Sequence, residues 1–431
     1  METIKIMSSK ARIQGSVIKI STETMYKVLL ILPLSMFLVA FFFNTPTEIL
    51  QGMWQIKASN SVLLTDYFVV GNIGAALVNS ALITLINLFL LRKLDLRPNG
   101  IIISALFLLS GFAFMGKNLF NIWPFYLGGY IYCKYHHITY KNVIVINMLA
   151  TALSPLTSTL VDTLSTNVLV AFILSTLISG FIGFIMPPIS SHMLTAHSGY
   201  SIYNMGFAAG LVGIVVYSIL KALGYDTPKN TGVMEQPLYG MRLFFLVFCI
   251  VLIVIGYILN EKSFKGFKDI FSHSGRLVTD MIKHAGFGLT LINMGTLGIM
   301  CLSYIILMGG VLNGPVIAAM LTVIGFGAFG KHFRNTMPIM LGVTLASFIV
   351  GKDISITTVI ISALFGTSLA PIAGEFGIRA GILVGIVHFM LVLNIGDLHG
   401  GIMLYNNGLS AGIIATLFIP MMDAFKREKN K

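Results

Sequence analysis

The sequence predicts an all-α, polytopic membrane protein of about 14 apolar segments, built as two inverted-topology repeats of about six segments each. Three observations predict it. Of the 431 residues, 56% are hydrophobic and only 10% charged, against roughly 25% charged in soluble domains. Windows of roughly 20 apolar residues, the length a membrane helix needs, fill nearly everything between Tyr26 and Pro420. The second half also repeats the polar, glycine and proline positions of the first in order, and self-similarity of that kind marks an internal duplication.

Taken in order, the apolar segments run over 25–43, 68–91, 100–116, 119–133, 143–160, 167–186, 200–220, 240–259, 285–308, 313–330, 335–350, 354–371, 376–394 and 400–421, the shorter ones being candidates for re-entrant loops. They divide the chain into a basic cytoplasmic tail (1–24), a first helix with an outer loop (25–67) and repeat A (68–220). A loop, an extra helix and a linker (221–284), repeat B (285–421) and a cytoplasmic tail (422–431) complete it. Lys5, Lys10, Arg12, Lys19 and Lys27 precede the first apolar run, and Asn44, Thr45 and Pro46 follow it in place of a small-residue cleavage site, so the first helix reads as retained. In the hydrophilic stretch 260–284, Phe264, Phe267, Ile270 and Phe271 alternate with Lys262, Lys265, Lys268 and Arg276, which predicts an interfacial amphipathic helix joining the halves.

The net charge of +12 lies mostly in short loops and tails. If every segment crosses, the clusters Arg92/Lys93/Arg97, Lys134/Lys141, Lys262 through Lys283, Lys331/Arg334 and Lys426 through Lys431 fall on one side. The loops 44–67 and 221–239 on the other side hold only Lys57, Lys221 and Lys229. Basic residues of this kind set orientation, so both termini are expected in the cytoplasm, with the chain multi-pass in a bacterial-type inner membrane. Nucleic acid is not an expected partner; the lipid bilayer and a small solute are, and self-association stays open. Cys133, Cys249 and Cys301 lie far apart with no metal or redox spacing, and no metal or cofactor is expected. Gly325-x-Gly-x2-Gly330 matches a dinucleotide fingerprint only formally, since it lies in an apolar segment with no preceding strand.

The paired positions are specific. Asn72-Ile-Gly74 is matched to Asn293-Met-Gly295, and Asn99-Gly100 to Asn313-Gly314. Gly111-Phe112, Gly116-Lys117, Asn121, Pro124 and Gly128 answer to Gly325-Phe326, Gly330-Lys331, Asn335, Pro338 and Gly342. Ser154-Pro155-Leu156 answers to Ala370-Pro371-Ile372, and His197, Gly199, Tyr203-Asn204, Gly206 and Gly210 to His399, Gly401, Tyr405-Asn406, Gly408 and Gly412. Length differences of about seven residues before Asn99 and about fourteen before His197 are assigned to linkers. The two copies start seven segments apart and would insert in opposite senses, a plan of secondary transporters whose solute sites sit at the repeat interface.

The paired Gly-Lys-x3-Asn-x2-Pro and His-x-Gly-x3-Tyr-Asn-x-Gly-x3-Gly elements resemble a bacterial membrane protein family known as domain of unknown function 1576, over residues 60–425. That resemblance implies membrane location and duplication, and no activity. Tyr-Asn-x-Gly-x3-Gly alone is similar to an element of bacterial urea channels, whose Leu-Pro-x2-Thr-x-Pro-Phe motif this chain lacks.

Ionisable groups are costly in a membrane and mark functional positions. Lys117 and Lys331 with Asn121 and Asn335 are therefore candidate solute ligands suited to an anion or a carbonyl; alternatively the lysines end turns and snorkel to the interface. His197, Tyr203, Asn204, His399, Tyr405 and Asn406 either hydrogen-bond a polar solute or pack helices. Pro124, Pro155, Pro338 and Pro371 are expected to interrupt helices and either line a site or kink them. Glu375 and Arg379 have the spacing of a helical ion pair, and Asp162 and Asp397 are further polar candidates. A secondary transporter or channel for a small polar or anionic solute is the leading reading. A membrane enzyme acting on a lipid-like substrate through His192, His197, Asp397 and His399, or a scaffold, are the alternatives.

Overall fold

The computed structural model describes residues 18–165, 167–227 and 232–424. The basic residues of the two tails outside those bounds, and Lys229, fall outside the description. Helices make up the described chain, with no strand among the described residues. Ten of these helices are long and apolar enough to cross a membrane, which makes the protein multi-pass by length and composition. Gly100–Phe112, Gly314–Phe326 and Asn406–Met422 are apolar and shorter.

The two halves build the same sequence of packing steps. The helix pair Thr22–Leu29 and Ile31–Phe43 lies on Ile73–Lys93, and its counterpart Tyr239–Leu259 lies on Phe287–Leu307. Trp123–Tyr135 packs on Val168–Ala196 through glycines: a Cβ on Gly128 would stand 1.9 Å from the Gly180 carbonyl oxygen, and one on Gly183 2.5 Å from that of Phe125. Phe333–Val350 packs on Ile378–Ile395 through the equivalent Gly342 and Gly385, 2.2 Å from Ile382 O and 2.4 Å from Ile339 O on the same test.

At the centre the copies meet along antiparallel partners. Ser104 donates to the Gly325 carbonyl at 3.0 Å. A Cβ on Gly111 would meet Ala318, one on Gly100 the carbonyl of Ala328, and one on Gly314 the carbonyl of Phe114. Residue numbers rise on Gly100–Phe112 as they fall on Gly314–Phe326, and each contact recurs with the copies exchanged. The last helices, Asn204–Ala222 and Asn406–Ala424, cross where Gly206 meets its own counterpart Gly408. A pseudo-two-fold axis therefore passes between these two glycines.

Each central helix is 13 residues long, which rises about 20 Å, short of the roughly 30 Å hydrocarbon thickness. Its start is fixed by an N-cap: Asn99 Oδ1 accepts from Ile102 N at 3.0 Å and Asn313 Oδ1 from Val316 N at 3.2 Å. Its end is closed by a left-handed glycine, Gly116 (φ 80°) or Gly330 (φ 115°), so that the amides of Lys117 and Lys331 return to the carbonyls of Phe112 and Phe326 at 3.1 and 3.0 Å.

Four expectations are corrected. Asn72 is not the counterpart of Asn293. Asn79 is, since Asn79 Nδ2 donates to the carbonyls of Ala113 and Lys117, and Asn293 Nδ2 to those of Gly327 and Lys331. Asn72 instead caps its helix through Ala75 N, and the copies keep one offset of 214 residues from Leu63/Leu277 to Asn121/Asn335 with no insertion before Asn99.

The later insertion is largely not linker. It lengthens Val168–Ala196 to 29 residues against 18 in Ile378–Ile395, adding turns whose Val168, Leu169 and Phe172 are exposed apolar side chains suited to lipid. The stretch 260–284 is not one amphipathic helix either. Gly266 (φ 89°) and Gly275 (φ 81°) adopt conformations that stop a helix, leaving only Phe267–Ser272 and Met281–Ala285 with a strap between them. Finally, Pro338 interrupts nothing. Phe333–Val350 runs through it, whereas Pro124, Pro155 and Pro371 stand in first turns, where a missing N–H is tolerated.

Candidate functional site

The loops between helices contact one another in two sets. In one set, Tyr26 donates to the carbonyl of Leu96 (2.7 Å), Lys141 reaches Asp95 (3.9 Å), Asp280 accepts from Gly100 N (3.2 Å) and His332 meets the carbonyl of His273 (2.8 Å). In the other, Asn118 reaches the Ile56 carbonyl (3.4 Å), Leu63 N donates to Gly401 O (2.8 Å), and Asp66 accepts from Met234 N (3.0 Å) and Gly314 N (3.2 Å). The candidate site lies between these sets, on the pseudo-two-fold axis.

Its first components are the lysines. Burial is complete for Lys117 and Lys331, each at 0% exposure, so neither snorkels. Lys117 Nζ donates to the hydroxyl of Tyr405 at 2.6 Å and sits 5.3 Å above the ring of Phe112. Lys331 Nζ donates to the hydroxyl of Tyr203, and to Thr367 Oγ1 at 2.6 Å, with the ring of Phe326 at 5.5 Å. Each lysine thus pairs with the tyrosine of the other copy. The described ion pairs are Lys27–Glu23, Lys141–Asp95 and Arg276–Glu375, all with exposed partners, and none reaches a buried lysine. Hydrogen bonds from a charged group contribute about 1.5–3 kcal/mol and a desolvated cation over a ring about 2, while burying an ion costs several kcal/mol. Neutral partners therefore reduce the cost without removing it.

The turn carrying each lysine is held by the asparagines. Asn121 Nδ2 donates to Gly116 O and Asn335 Nδ2 to Gly330 O, both at 2.9 Å, so these two side chains fold the loop and do not point to a ligand. The tyrosines are placed by cross-copy backbone bonds of equal length: Ile202 N to Ser368 O and Leu404 N to Ala152 O, 2.9 Å each. Those carbonyls are free because the helices they belong to tighten into 3-10 turns at Thr151–Leu153 and Thr367–Leu369, immediately before Pro155 and Pro371. His197 Nε2 pairs with Asn204 Oδ1 at 2.9 Å and His399 Nε2 with Asn406 Oδ1 at 3.0 Å, which secures the turns ahead of the last helices. Of the enzyme candidates, His192 and Asp397 are exposed while His197 and His399 are buried in those pairs. No cluster of three or more His, Cys, Asp or Glu suited to a metal occurs among the described residues.

Two cavities flank the tyrosines. The larger, about 160 Å³, is lined by Tyr203, Tyr405, Phe326, Phe329, Leu108 and Leu149 among others, and the strap places Leu277 and Val278 on its wall. The smaller, about 10 Å³, is lined by Tyr405, Tyr203, Phe112, Thr322, Phe365 and Leu404. Phe112 is the counterpart of Phe326, Thr322 of Leu108, and Phe365 of Leu149. The cavities are therefore the same place in the two copies, about 160 Å³ in one and about 10 Å³ in the other.

Sequence reasoning missed Asp66 and Asp280. Each is buried and caps a central helix of the other copy, Asp66 at Gly314 N and Asp280 at Gly100 N, both at 3.2 Å. Their common offset of 214 residues was the available signal. Glu375 and Arg379 are not a helical pair, because Gly377 (φ 88°) ends one helix and starts the next; Glu375 instead accepts from Tyr200 at 2.5 Å and faces Arg276 at 3.9 Å.

Burial raises the Asp66 carboxyl from its ordinary value to about 6, against the opposing effect of the backbone N–H groups of Met234, Phe68 and Gly314. The folded protein then holds this proton more tightly than the unfolded chain. Asp66 accordingly adds stability as pH falls through 6 towards 4 and loses it as pH rises. Between pH 7.5 and 5 the wild type is expected to gain roughly 1–2 kcal/mol more than Asp66→Asn, measured as the difference of their thermal unfolding shifts in detergent; equal shifts would contradict this.

A family described as "Protein of unknown function (DUF1576)" matches residues 45–222 and 259–424. No curated protein and no solved structure matches the chain. With most of both halves covered, the chain belongs to that family of membrane proteins of unknown function.

Proposed function

We propose that the protein is a secondary transporter or channel for a small polar or anionic solute, with the site at the interface of its two repeats. The observation that carries this reading is the pair of symmetry-equivalent cavities of unequal size, about 160 and 10 Å³, that share Tyr203 and Tyr405. Two copies of one unit in different states are what alternating access about a fixed site requires. Unequal cavities favour a carrier over a permanently open pore.

The loop contacts support fourteen crossings with inverted copies. Residues 20, 96, 141, 199, 273–280, 332 and 375 fall in one set, and residues 56, 63, 118, 234, 310–314 and 401 in the other. The chain changes set at each helical segment, so Thr22–Phe43 and its counterpart Tyr239–Leu259 cross in opposite senses. The first set contains Arg97, Lys134 and Lys262, which supports a cytoplasmic assignment for it by the positive-inside rule. On this reading the larger cavity is the cytoplasmic one.

The test is uptake from a mixed pool of small metabolites and ions into proteoliposomes, with and without ion gradients. Solute-specific uptake by the wild type, lost in a Lys117→Ala, Lys331→Ala double variant that still folds, is expected. Uptake no greater than that of empty liposomes would overturn the proposal.

A further inference from the structure

Two non-helical straps, one from each copy, are equivalent in backbone and unequal in side chains. Residues 273–280 lie between Phe267–Ser272 and Met281–Ala285, and residues 59–66 between Pro46–Ala58 and Tyr67–Val70. Each crosses to the other copy: Leu277 N donates to Gly199 O at 3.0 Å, and Leu63 N to Gly401 O at 2.8 Å. The preceding residues, Arg276 and Val62, are matched in place as well. A Cβ on Gly199 would stand 3.3 Å from Arg276 Cγ, and one on Gly401 3.5 Å from Val62 Cβ.

At Arg276 the equivalence ends. Its Nε donates to Ser198 O at 2.8 Å and its Nη1 to the Tyr200 hydroxyl at 3.0 Å, with the guanidinium 4.2 Å from the centre of that tyrosine's ring. Tyr200 in turn donates to Glu375 at 2.5 Å, and Glu375 faces Arg276 at 3.9 Å. Strap, turn and the helix Ala370–Phe376 are thereby joined. At the offsets that relate the copies, the counterparts of Arg276, Tyr200 and Glu375 are Val62, Ile402 and Thr159, all buried and none charged. An exposed ion pair alone contributes little. Here the carboxylate accepts a short phenol bond while the planar guanidinium bonds the phenol and a carbonyl, so the loss of one partner loosens the others.

The fastened strap is the one at the larger cavity. Leu277 and Val278 line that cavity, and Val278 is also 75% exposed, so the strap forms its rim. Both ends of the strap are anchored: a Cβ on Gly275 would stand 2.3 Å from Gly330 O, and Asp280 caps Gly100 N. The part left to lift is the stretch from Arg276 to Thr279, which the latch holds down. We infer that this strap is the gate of the larger cavity, fastened by Arg276, Tyr200 and Glu375, and that the strap of the other copy is the equivalent gate without a latch. This rests on the reading of the repeat interface as a solute site and adds how access to it is controlled. Ala370–Phe376, which carries Glu375, follows directly on the 3-10 turn of Thr367, the partner of Lys331. One short stretch of chain therefore links the latch to the lysine turn.

The experiment needs no solute. Amide exchange of segments 273–280 and 59–66 is read by mass spectrometry on the full-length protein in nanodiscs, since exchange reports local opening. Arg276→Met is expected to speed exchange in 273–280 at least tenfold and to leave 59–66 within twofold of wild type. Tyr200→Phe, which keeps the ring and removes the bonds to Arg276 and Glu375, should act in the same direction and carries the test if Arg276→Met does not fold. Access is measured with Ser190→Cys, on the wall of the larger cavity, as its rate of labelling by a membrane-impermeant maleimide. Cys133, Cys249 and Cys301 are buried, and the parent protein gives their background. Labelling should be at least tenfold faster when Arg276→Met is added. Unchanged exchange in 273–280, equal acceleration of both straps, or a loosened strap with unchanged labelling would each overturn the inference. If the strap loosens and labelling rises while no form of the protein takes up any solute from the mixed pool, the gate stands and the transport reading falls. If the wild type takes up solute and a loosened strap leaves its rate unchanged, transport stands and the gate falls.

Discussion

Gly206→Val is expected to lower the stability of the protein by about 2–4 kcal/mol and to abolish solute movement, with Gly408→Val doing the same. A Cβ at Gly206 would stand 2.8 Å from the Cα of Gly408, and a Cβ at Gly408 2.9 Å from the Cα of Gly206. Both obstructing atoms are backbone, so a rotamer change cannot relieve the contact and the last helices must separate. Overpacking of this kind typically costs 1–3 kcal/mol, occasionally more, and Val adds two methyl groups to the first offending carbon. The helix-propensity gain on leaving glycine is at most about 1 kcal/mol in the opposite sense, too small to reverse the sign. Gly396, with nothing within 4 Å of its Cβ position, supplies the control: Gly396→Ala is expected to leave the stability within about 0.5 kcal/mol of wild type. The Gly206→Ala, Gly408→Ala double variant should cost less than its two single costs added together, because the first Cβ already opens the crossing that the second would need. Strict additivity would show that the two glycines are not in contact.

This axis also explains which parts of the molecule could be read from the sequence. Glycines, lysines and asparagines repeated at constant spacing because each performs a task within its own copy: Gly116 and Gly330 close a helix, and Asn121 and Asn335 fold the turn after it. Such spacings are local and survive duplication intact. What the copies do for one another leaves no local spacing. That Lys117 meets Tyr405 rather than Tyr203, and that Asp66 caps Gly314 rather than Gly100, follows from the antiparallel meeting of the central helices, which only the fold supplies. The mismatch of Asn72 with Asn293 has a related cause. Asn-x-Gly occurs at Asn72, where it caps a helix, and at Asn293, in the middle of one, so motif identity overrode the constant 214-residue offset that Asn79 obeys. In the linker, alternating Phe and Lys suggested one amphipathic face. The left-handed glycines at 266 and 275 instead break it into a strap, whose Leu277 amide bonds Gly199 as that of Leu63 bonds Gly401.

Lys117→Met and Lys331→Met are each expected to reduce uptake at least a hundredfold, and by factors within about twofold of each other. In the structure the two lysines are not equivalent. Lys331 donates to Tyr203 and Thr367, while Lys117 is bonded to Tyr405. Thr367 and its counterpart Thr151 both donate to the carbonyl three residues back, that of Leu364 at 2.5 Å and that of Met148 at 2.6 Å, and Thr367 in addition accepts from Lys331. If this were a fixed pore, the two differently bonded lysines would carry different shares of the effect and the two variants would differ. In a carrier whose copies exchange states, Thr151 takes up Lys117 when Thr367 releases Lys331, and each lysine holds each environment once per cycle. A defect in either half of the cycle then stops the whole of it, so the slower half sets the rate in both variants. Methionine keeps the length and apolar stem of lysine, which confines the change to the charge. Initial uptake rates of the two single variants, normalised to folded protein, decide the matter: matched losses support exchange between the copies, and a difference of tenfold or more would show that the two halves do not trade places.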